Sequence, residues 1–318
     1  MSRPIKFFYA TDIHGSERCF RKFINAGAFY GVDALIMGGD VTGKMIVPIV
    51  QETPGHYVAE VFGQTRRFED DGLPRVQKLI GDAGYYPAIV TPDELEELHA
   101  DPTKVEAAFR RLMTETLSRW LDFAAERLGP SGPMCIISPG NDDQPFIDEL
   151  LSSSTRVINP DDRVIELPGG YELVSFGYSN ITPWASPREL DEPELLTRIE
   201  AVASQASHPD RTIFNLHVPP RETTLDQAIL LQPDLSPVIK NGSPVTGGVG
   251  SSAVRTATER FQPLVGLHGH IHESRGSVKI GRSVAYNPGS EYSDGVLRGL
   301  ILTLEPGKGV RGAQFVAG

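Results

Sequence analysis

Cysteine and long apolar runs are scarce in this sequence of 318 residues. Its only two cysteines, Cys19 and Cys135, lie in or beside apolar runs, which favours buried free thiols over a disulfide or a cysteine-ligated metal. No segment reaches the roughly 20 apolar residues of a membrane-spanning helix, so we expect no membrane contact. Residues 1–10 also lack the layout of a signal peptide. We therefore expect a cytoplasmic protein.

Positive charge is in deficit as well. The chain carries 41 acidic against 30 basic residues, a formal net charge of -11. Proteins that bind long nucleic acid do so through many contacts between basic side chains and phosphates, so we do not expect such a partner. A small phosphorylated substrate is not excluded, because bound metal ions can neutralise one phosphate locally.

Short apolar runs rich in β-branched and aromatic residues predict strands. Five of them end abruptly in polar residues or glycine, and these lie at 5–10, 34–37, 134–138, 212–216 and 264–267. Further predicted strands lie at 164–167, 171–177, 277–280, 284–286 and 299–304. Apolar residues at helical spacing predict helices over 104–128, 194–206 and about 252–261. This order of elements predicts an α/β core built around mixed sheets.

The chain is interpreted as a single domain over 1–318 with one long interruption. Residues 44–133 separate two predicted strands by far more than the usual connection of a few residues. We interpret this segment as a helical insertion that could cap a substrate site. The sequence leaves the oligomeric state open, and a homo-oligomer is one expectation.

Each of the five abruptly ending strands is followed by side chains that bind metals. In chain order these are Asp12 and His14, Asp40, Asn141, His217, and the row His268, His270 and His272. Residues two apart on an extended chain point to the same side, so neighbouring donors can converge. In open α/β sheets, ligands bind beyond the carboxyl ends of the strands. This donor set suits manganese, iron or zinc, and Asp40 is our choice for a carboxylate that bridges two ions.

The order of these motifs resembles the calcineurin-like metallophosphoesterases. The shared patterns are Asp-x-His at 12–14, Gly-Asp-x-x-Gly at 39–43, Gly-Asn-x-Asp at 140–143, the isolated His217 and Gly-His-x-His at 269–272. The Asn-Pro-Gly-Ser at 287–290 is similar to a motif that commonly follows the last of these. The resemblance spans about residues 5–290.

The resemblance implies a fold, a metal site and a reaction. The fold is an α/β (α+β) sandwich of two mixed sheets packed face to face and flanked by helices. One divalent ion would be held by Asp12, His14, Asp40 and His272, and the other by Asp40, Asn141, His217 and His270. A hydroxide between the two ions would then hydrolyse a phosphoester, with Asn141 orienting its metal and a phosphate oxygen.

The sequence departs from the family pattern at Asp142. Many family members have His at this position, where it protonates the leaving group or stabilises the transition state. The proton donor here is therefore open between Asp142 with a raised pKa, His268 and a metal-bound water. Similar replacements occur in phosphodiesterase-like branches, so we expect a hydrolase of a small, possibly nucleotide-derived phosphodiester. A phosphomonoesterase and a non-catalytic metal-binding scaffold are the alternatives.

Several of these residues also have a structural interpretation. His217 could be a hydrogen-bonded core histidine, and His268 could only orient a ligand or pack in the core. Asp143 is interpreted as a supporting carboxylate. The glycine-rich stretch 247–252 could cradle a phosphate before a helix or be a plain loop, and Trp184 could stack on a base or lie on the surface.

Overall fold

The computed structural model describes residues 3–318, so the first two residues of the segment examined for a signal peptide lie outside the described range. Within that range the helices are α1 (Glu17–Tyr30), α2 (Leu73–Asp82), α3 (Pro92–Ala100), α4 (Pro102–Leu128), α5 (Ile147–Ser153), α6 (Glu192–Ala203) and α7 (Ser252–Phe261). Side-chain oxygens of Ser16, Asp191 and Ser251 cap the first turns of α1, α6 and α7. Of the helices in residues 3–318, none is long and apolar enough to cross a membrane.

The strands occur in three groups along the chain. Those before α4 are β1 (Ile5–Ala10), β2 (Ala34–Met37), β3 (Ile46–Thr53), β4 (His56–Val61), β5 (Gln64–Glu69) and β6 (Tyr86–Val90). Those up to α6 are β7 (Met134–Ile137), β8 (Val157–Ile158), β9 (Arg163–Leu167), β10 (Tyr171–Phe176), β11 (Ser179–Asn180) and β12 (Glu189–Leu190). The others are β13 (Thr212–Leu216), β14 (Gln227–Ile229), β15 (Ile239–Lys240), β16 (Ser243–Pro244), β17 (Thr246–Gly248), β18 (Val265–Leu267), β19 (Gly276–Ile280), β20 (Ser283–Asn287), β21 (Arg298–Glu305) and β22 (Gly309–Ala317).

Two six-stranded mixed sheets form the centre of the molecule. The first sheet has the order β22-β21-β1-β2-β7-β8, and the second has the order β19-β20-β18-β13-β10-β9. In the first, β1, β2, β7 and β8 run parallel, and in the second β20, β18, β13 and β10 do. Parallel neighbours end at the same edge of a sheet, so each sheet has one edge where several carboxyl ends meet.

The two sheets pack face to face, with helices on both outer faces. Phe7, Tyr9 and Ile36 of the first sheet share one buried cluster with Ile213 and Val265 of the second. Helices α1, α4 and α5 cover the outer face of the first sheet, and α6 and α7 cover the second. This arrangement confirms the predicted α/β sandwich, whose layers bury apolar residues on both faces of each sheet.

The predicted strands and helices agree closely with the observed ones. Strands 5–10, 34–37 and 212–216 have the predicted bounds, and the helix predicted over 104–128 begins two residues earlier. Helix α7 begins at Ser252, where Ser251 accepts a hydrogen bond from the amide of Val254. The sequence analysis did not identify α1, α2, α3 and α5.

The segment 44–133 is more than a helical insertion. It contains α2, α3 and α4 but also a four-stranded sheet of order β5-β4-β3-β6, which the sequence analysis missed. The second half of α4 belongs to the sandwich, because Trp120 stacks on Phe20 of α1 with 4.2 Å between ring centres. The boundary at 133 is therefore corrected: the inserted unit ends within α4.

Both cysteines are buried and free, as predicted. Cys19 faces the core from α1, and Cys135 lies within β7. Burial raises the pKa of Cys135 to about 12, because a thiolate is poorly solvated in an apolar core. Neither thiol takes part in the polar site described next.

Candidate metal centre

The predicted ligands meet where the two sheets present their carboxyl ends. Asp12, Asp40 and Asn141 follow β1, β2 and β7 of the first sheet, whereas His217 and His270 follow β13 and β18 of the second. Two groups of donor atoms, each within 4.8 Å of one another, are Asp12–His14–His272 and Asp40–His217–His270. The structure thus brings six of the seven predicted ligands together in two adjacent clusters.

The first group brings two imidazoles to a buried carboxylate. His14 Nε2 and His272 Nε2 lie 3.1 Å apart, and His272 Nε2 lies 3.5 Å from Asp12 Oδ1. Asp12 is fully buried and His14 nearly so. Two nitrogen donors and a carboxylate that converge in this way form a set that a divalent ion can bind.

The second group is built around Asp40. His217 Nε2 lies 3.4 Å from Asp40 Oδ2 and 3.7 Å from Asp12 Oδ1, and Asn141 Oδ1 lies 2.8 Å from His270 Nδ1. Asn141, the seventh predicted ligand, joins the cluster through this contact. Asp40 also forms a third close group with His14 and Asp142, so its carboxylate lies between the two predicted ion positions.

His217 provides a direct test of whether a metal fits. Its Nδ1 lies 3.1 Å from the carbonyl oxygen of Gly38, an arrangement that fixes the ring and aims Nε2 at the two carboxylates. That Nε2 is buried and has no hydrogen-bond partner. A buried imidazole nitrogen left without a partner is costly, and a bound cation would satisfy it. The residues therefore fit a metal site.

The backbone at the site is strained. Asp12, His14, Asp40 and His270 all have positive φ, at 54°, 40°, 51° and 65°, a region that residues other than glycine rarely occupy. Such conformations cluster at functional sites, where the surrounding structure imposes them. Asp12 and His14 therefore converge through tight turns and not through the alternation of an extended strand, which was the reason given by the sequence analysis.

Two glycines are required for the close packing of the carboxylates. A Cβ on Gly140 would lie 2.3 Å from Asp40 Oδ1, and one on Gly269 would lie 2.3 Å from Asp12 Oδ2. Both distances are far below van der Waals contact. The Gly-Asn and Gly-His pairs of the sequence motifs therefore have a steric cause.

Supporting polar residues hold the ligand loops. The buried carboxylate of Asp143 accepts hydrogen bonds from the amides of Val41 and Thr42 at 2.9 and 2.8 Å, as expected for a supporting group. The hydroxyl of Ser290 donates to the carbonyl oxygen of Asp12 at 2.6 Å, and Asn287 donates to that of Ile271 at 2.9 Å. The Asn-Pro-Gly-Ser motif thus ties the last ligand loop to the first.

The buried carboxylates of the site favour the binding of a cation. Although burial raises the pKa of Asp12, neighbouring imidazoles bring it below its ordinary value. Although burial lowers the pKa of His217, the carboxylates of Asp40 and Asp12 raise it above its ordinary value. In the metal-free protein Asp12 and the protonated His217 thus form an ion pair, whereas burial raises the pKa of Asp40 to about 7. Positive charge at this point is needed, and bound divalent ions would supply it.

Asp142 does not have the raised pKa that a proton donor requires. Burial raises its pKa, but an ion pair with Lys44 and a 2.5 Å hydrogen bond from Ser186 bring the pKa well below its ordinary value. Asp142 is therefore paired and ionised in the metal-free protein, which argues against Asp142 as the proton donor. Lys44, the residue directly after the Gly-Asp-x-x-Gly motif, was not among the predicted site residues.

His268 is not part of the row that was predicted. Its fully buried ring lies with Nδ1 2.7 Å from the carbonyl oxygen of Leu216, and burial lowers its pKa to about 4. The left-handed conformation of His270 turns the chain, so only His270 and His272 reach the cluster. His268 does not line the cavity, and the structure contradicts its role as proton donor in favour of the packing alternative.

The glycine-rich stretch 247–252 does not offer free amides to a phosphate. The carboxylate of Glu192 accepts hydrogen bonds from the amides of Ser252 and Ala253 at 3.0 and 2.7 Å. The hydroxyl oxygen of Ser251 accepts a hydrogen bond from the next amide, that of Val254. The first turn of α7 is thus already capped, and Gly247 and Gly248 belong to β17, which pairs with β14. The stretch is therefore neither a phosphate cradle nor a plain loop.

A cavity of about 1120 Å³ opens over the candidate metal centre. Its floor includes Asp40, Asn141, His270 and His272, whereas Asp12, His14 and His217 lie beneath it. Lys44, whose side chain is half-exposed, and Asp142 stand beside these ligands. A substrate in the cavity would therefore meet one face of the cluster together with an ammonium group.

Comparison with known proteins supports the fold but names no function. No family model matches the chain. Over 159 residues it is 31% identical to the uncharacterized protein MJ1162 of Methanocaldococcus jannaschii, an alignment that covers 49% of this chain and 62% of that relative. The solved structure of TT1561 of Thermus thermophilus matches 99% of both chains with a TM-score of 0.53 and 12% identity. A further solved structure matches 99% of both chains with a TM-score of 0.58 and 14% identity.

Proposed function

We propose that this protein is a metal-dependent phosphoester hydrolase of the calcineurin-like metallophosphoesterase superfamily. One observation carries the proposal: donors spread from Asp12 to His272 converge in two adjacent groups at the floor of one open cavity. The order of the motifs along the chain supports the same family. Metal binding by the two groups is the premise from which the chemistry follows.

The chain would hold two divalent ions such as manganese, iron or zinc. Asp12, His14 and His272 would hold one, His217, His270 and Asn141 would hold the other, and Asp40 is close to both groups. A bound pair supplies positive charge that activates water and neutralises the phosphate oxygens. The supporting carboxylate of Asp143 and the motif at 287–290 keep the ligand loops in place before substrate arrives.

Lys44 would supply the positive charge that family members with His after Gly-Asn obtain from an imidazolium. Its ammonium pairs with Asp142 and lies at the cavity floor next to Asp40 and Asn141. Asp142 is in turn oriented by Ser186, and its amide donates to Asp40 Oδ1 at 3.0 Å. Asp142 therefore acts as a positioning residue for Lys44, and Lys44 contacts a phosphate oxygen.

A phosphodiester is the preferred substrate class. Because Lys44 and the ionised Asp142 together carry no net charge, the pair offers nothing to balance the second negative charge of a phosphomonoester, whereas a diester has no such charge. The resemblance to phosphodiesterase-like branches points the same way, and a phosphomonoesterase is the alternative within the same fold.

Two chromogenic esters test the proposal. Chelator-treated protein would be reloaded with manganese and assayed on bis-p-nitrophenyl phosphate, a diester, and p-nitrophenyl phosphate, a monoester. We expect metal-dependent hydrolysis that is faster on the diester and lost in Asp12→Ala. The exposed Asp162 is paired with Arg198, and neither residue lines the cavity. It gives the control Asp162→Asn, which should keep full activity. Faster hydrolysis of the monoester would reverse the substrate order, and metal binding without hydrolysis would favour the non-catalytic scaffold.

A further inference from the structure

The cavity extends well beyond the candidate metal centre. Its volume of about 1120 Å³ slightly exceeds the range of roughly 300 to 1,000 Å³ typical of pockets for drug-sized ligands. A phosphate group over Asp40 and Asn141 would fill only a small part of it. The remaining space would therefore hold the rest of the substrate.

One wall of this space is an apolar face of α4. Val105, Phe109 and Met113 are spaced four residues apart, which places them in one row along the helix. Phe146 continues the wall, and the guanidinium of Arg110 lies over its ring, 4.3 Å from the ring centre. Phe109 and Met113 lie in the half of α4 that packs on the inserted sheet, so the insertion contributes part of this wall directly.

Another part of the cavity lining is a loop with two large exposed apolar side chains. Ile181 is 63% and Trp184 is 61% exposed, and both line the cavity. Exposed apolar side chains grouped in this way on an open cavity mark ligand sites more often than scattered ones do.

Hydrogen bonds to Glu189 and Asp142 hold this loop in place. The carboxylate of Glu189 accepts hydrogen bonds from the amides of Thr182 and Ser186 at 3.0 and 2.9 Å. The hydroxyl of Ser186 donates to Asp142 Oδ1 at 2.5 Å. Because the loop is hydrogen-bonded to both Glu189 and Asp142, Ile181 and Trp184 remain at the cavity.

We propose that the substrate is a phosphoester whose alcohol carries a large apolar group, and that this group lies between α4 and the loop that carries Trp184. The inference rests on the proposed function, which places the phosphate over Asp40 and Asn141. Both an aliphatic chain and an aromatic ring system have this chemistry. The two apolar walls and the metal-centre floor line one continuous cavity. We therefore assign the remaining space to the substrate itself.

The test uses phosphonates, whose carbon–phosphorus bond resists hydrolysis, so binding is measured apart from turnover. Methyl-, butyl-, hexyl- and octylphosphonate form the aliphatic arm, and phenyl- and naphthylphosphonate form the aromatic arm. Each would be titrated calorimetrically into zinc-loaded protein. We expect Kd to fall about threefold to fourfold for each methylene that is buried, and the arm with the tighter binding at equal apolar area identifies the source.

Two variants and a matched control locate the effect. Trp184→Ala and Ile181→Ser should each weaken octylphosphonate at least fivefold and leave methylphosphonate unchanged. Phe29→Ala removes another exposed aromatic side chain, one that does not line the cavity, and should change neither. Because all three residues are exposed, melting temperatures should stay the same. Tryptophan fluorescence gives a second readout, since the only other tryptophan, Trp120, is buried against Phe20.

Equal affinities for methyl- and octylphosphonate would overturn the inference even if both chromogenic esters are hydrolysed. A dimer that Trp184→Ala converts to monomers without any loss of octylphosphonate affinity would also overturn it, because the exposed residues would then cover a subunit contact. If chain length controls affinity but no ester is hydrolysed, the apolar site stands and the proposed function fails.

Discussion

The two sheets contribute different chemistry to the same site. Loops of the first sheet provide the carboxylates Asp12 and Asp40, the amide Asn141 and the imidazole His14, whereas loops of the second provide only imidazoles. The first sheet thus carries the negative charge of the centre, and the second carries none. Each of the two groups predicted to hold an ion draws on both sheets, so neither sheet alone could form the centre.

The contacts between these two edges are few but specific. The amide of His270 donates to both carboxylate oxygens of Asp12, at 3.1 and 3.0 Å, and the hydroxyl of Ser290 donates to the carbonyl oxygen of Asp12 at 2.6 Å. Without a metal, these bonds and the imidazole–carboxylate pairs connect the edges. An ion bound to either group would add a link between the sheets, which should also stabilise the folded protein.

The largest effect should come from the carboxylate that serves both groups. Asp40→Asn is expected to lower turnover about a thousandfold and to weaken both ions, because Asp40 lies between them. His217→Ala removes a donor from the second sheet and should weaken only one ion. Metal content by elemental analysis after dialysis measures the difference. Equal loss of both ions in the two variants would break the comparison between the sheets.

Lys44 tests whether the first sheet's site needs a cation besides the metals. Lys44→Met keeps the length of the side chain but removes its charge, and should lower turnover about a hundredfold with metal content unchanged. Lys44→Arg should restore part of the activity, since a guanidinium can also contact a phosphate oxygen. Steady-state kinetics with parallel metal analysis distinguishes this from ligand loss; a loss of metal in Lys44→Met would contradict the assignment.

Steric packing between the edges gives the third test. Gly269→Ala would push a methyl group against Asp12 Oδ2 and should lower metal affinity about tenfold to a hundredfold. Gly312→Ala is the control, because a Cβ there meets nothing within 4 Å. Competition with a fluorescent chelator reports both affinities. The steric account is wrong if the two variants bind metal equally well.

The smallest effect concerns protons. Asp40 and Asp12 raise the pKa of His217 above its ordinary value, so this imidazole is protonated in the metal-free protein at neutral pH and must lose its proton to bind an ion. Metal affinity should therefore rise with pH, about tenfold per pH unit for one displaced proton. Calorimetry at pH 7 in buffers of different ionisation enthalpy counts the released proton. His217→Gln should remove this release, and an unchanged count would show that another group supplies it.

The predictable elements share one property. Strands β1, β2 and β13 are buried along nearly their whole length, and such strands read as continuous apolar runs. The missed strands of the insertion are different: β5 is exposed over most of its length and gives little apolar signal. Helix α5 has only seven residues, too few for a periodic pattern to stand out.

Local sequence also determined which donors are available. Each ligand motif directly follows a buried parallel strand, and the ends of such strands meet in any right-handed α/β arrangement. For that reason Asp12, Asp40, Asn141 and His217 could be assigned before their distances were known. The sequence likewise determined the sandwich, because its apolar runs can be buried only between packed layers.

Only the tertiary structure decided which side chains act together. His268 and His270 belong to one predicted row, yet a positive φ at His270 turns the chain, so the two side chains lie in different environments. Lys44 pairs with Asp142, nearly a hundred residues away, and Trp184 lines the same cavity as residues of α4. Spacing along a chain predicts neighbours only while the backbone is regular. Backbone turns and distant pairings depend on the balance of packing and charge in the whole molecule.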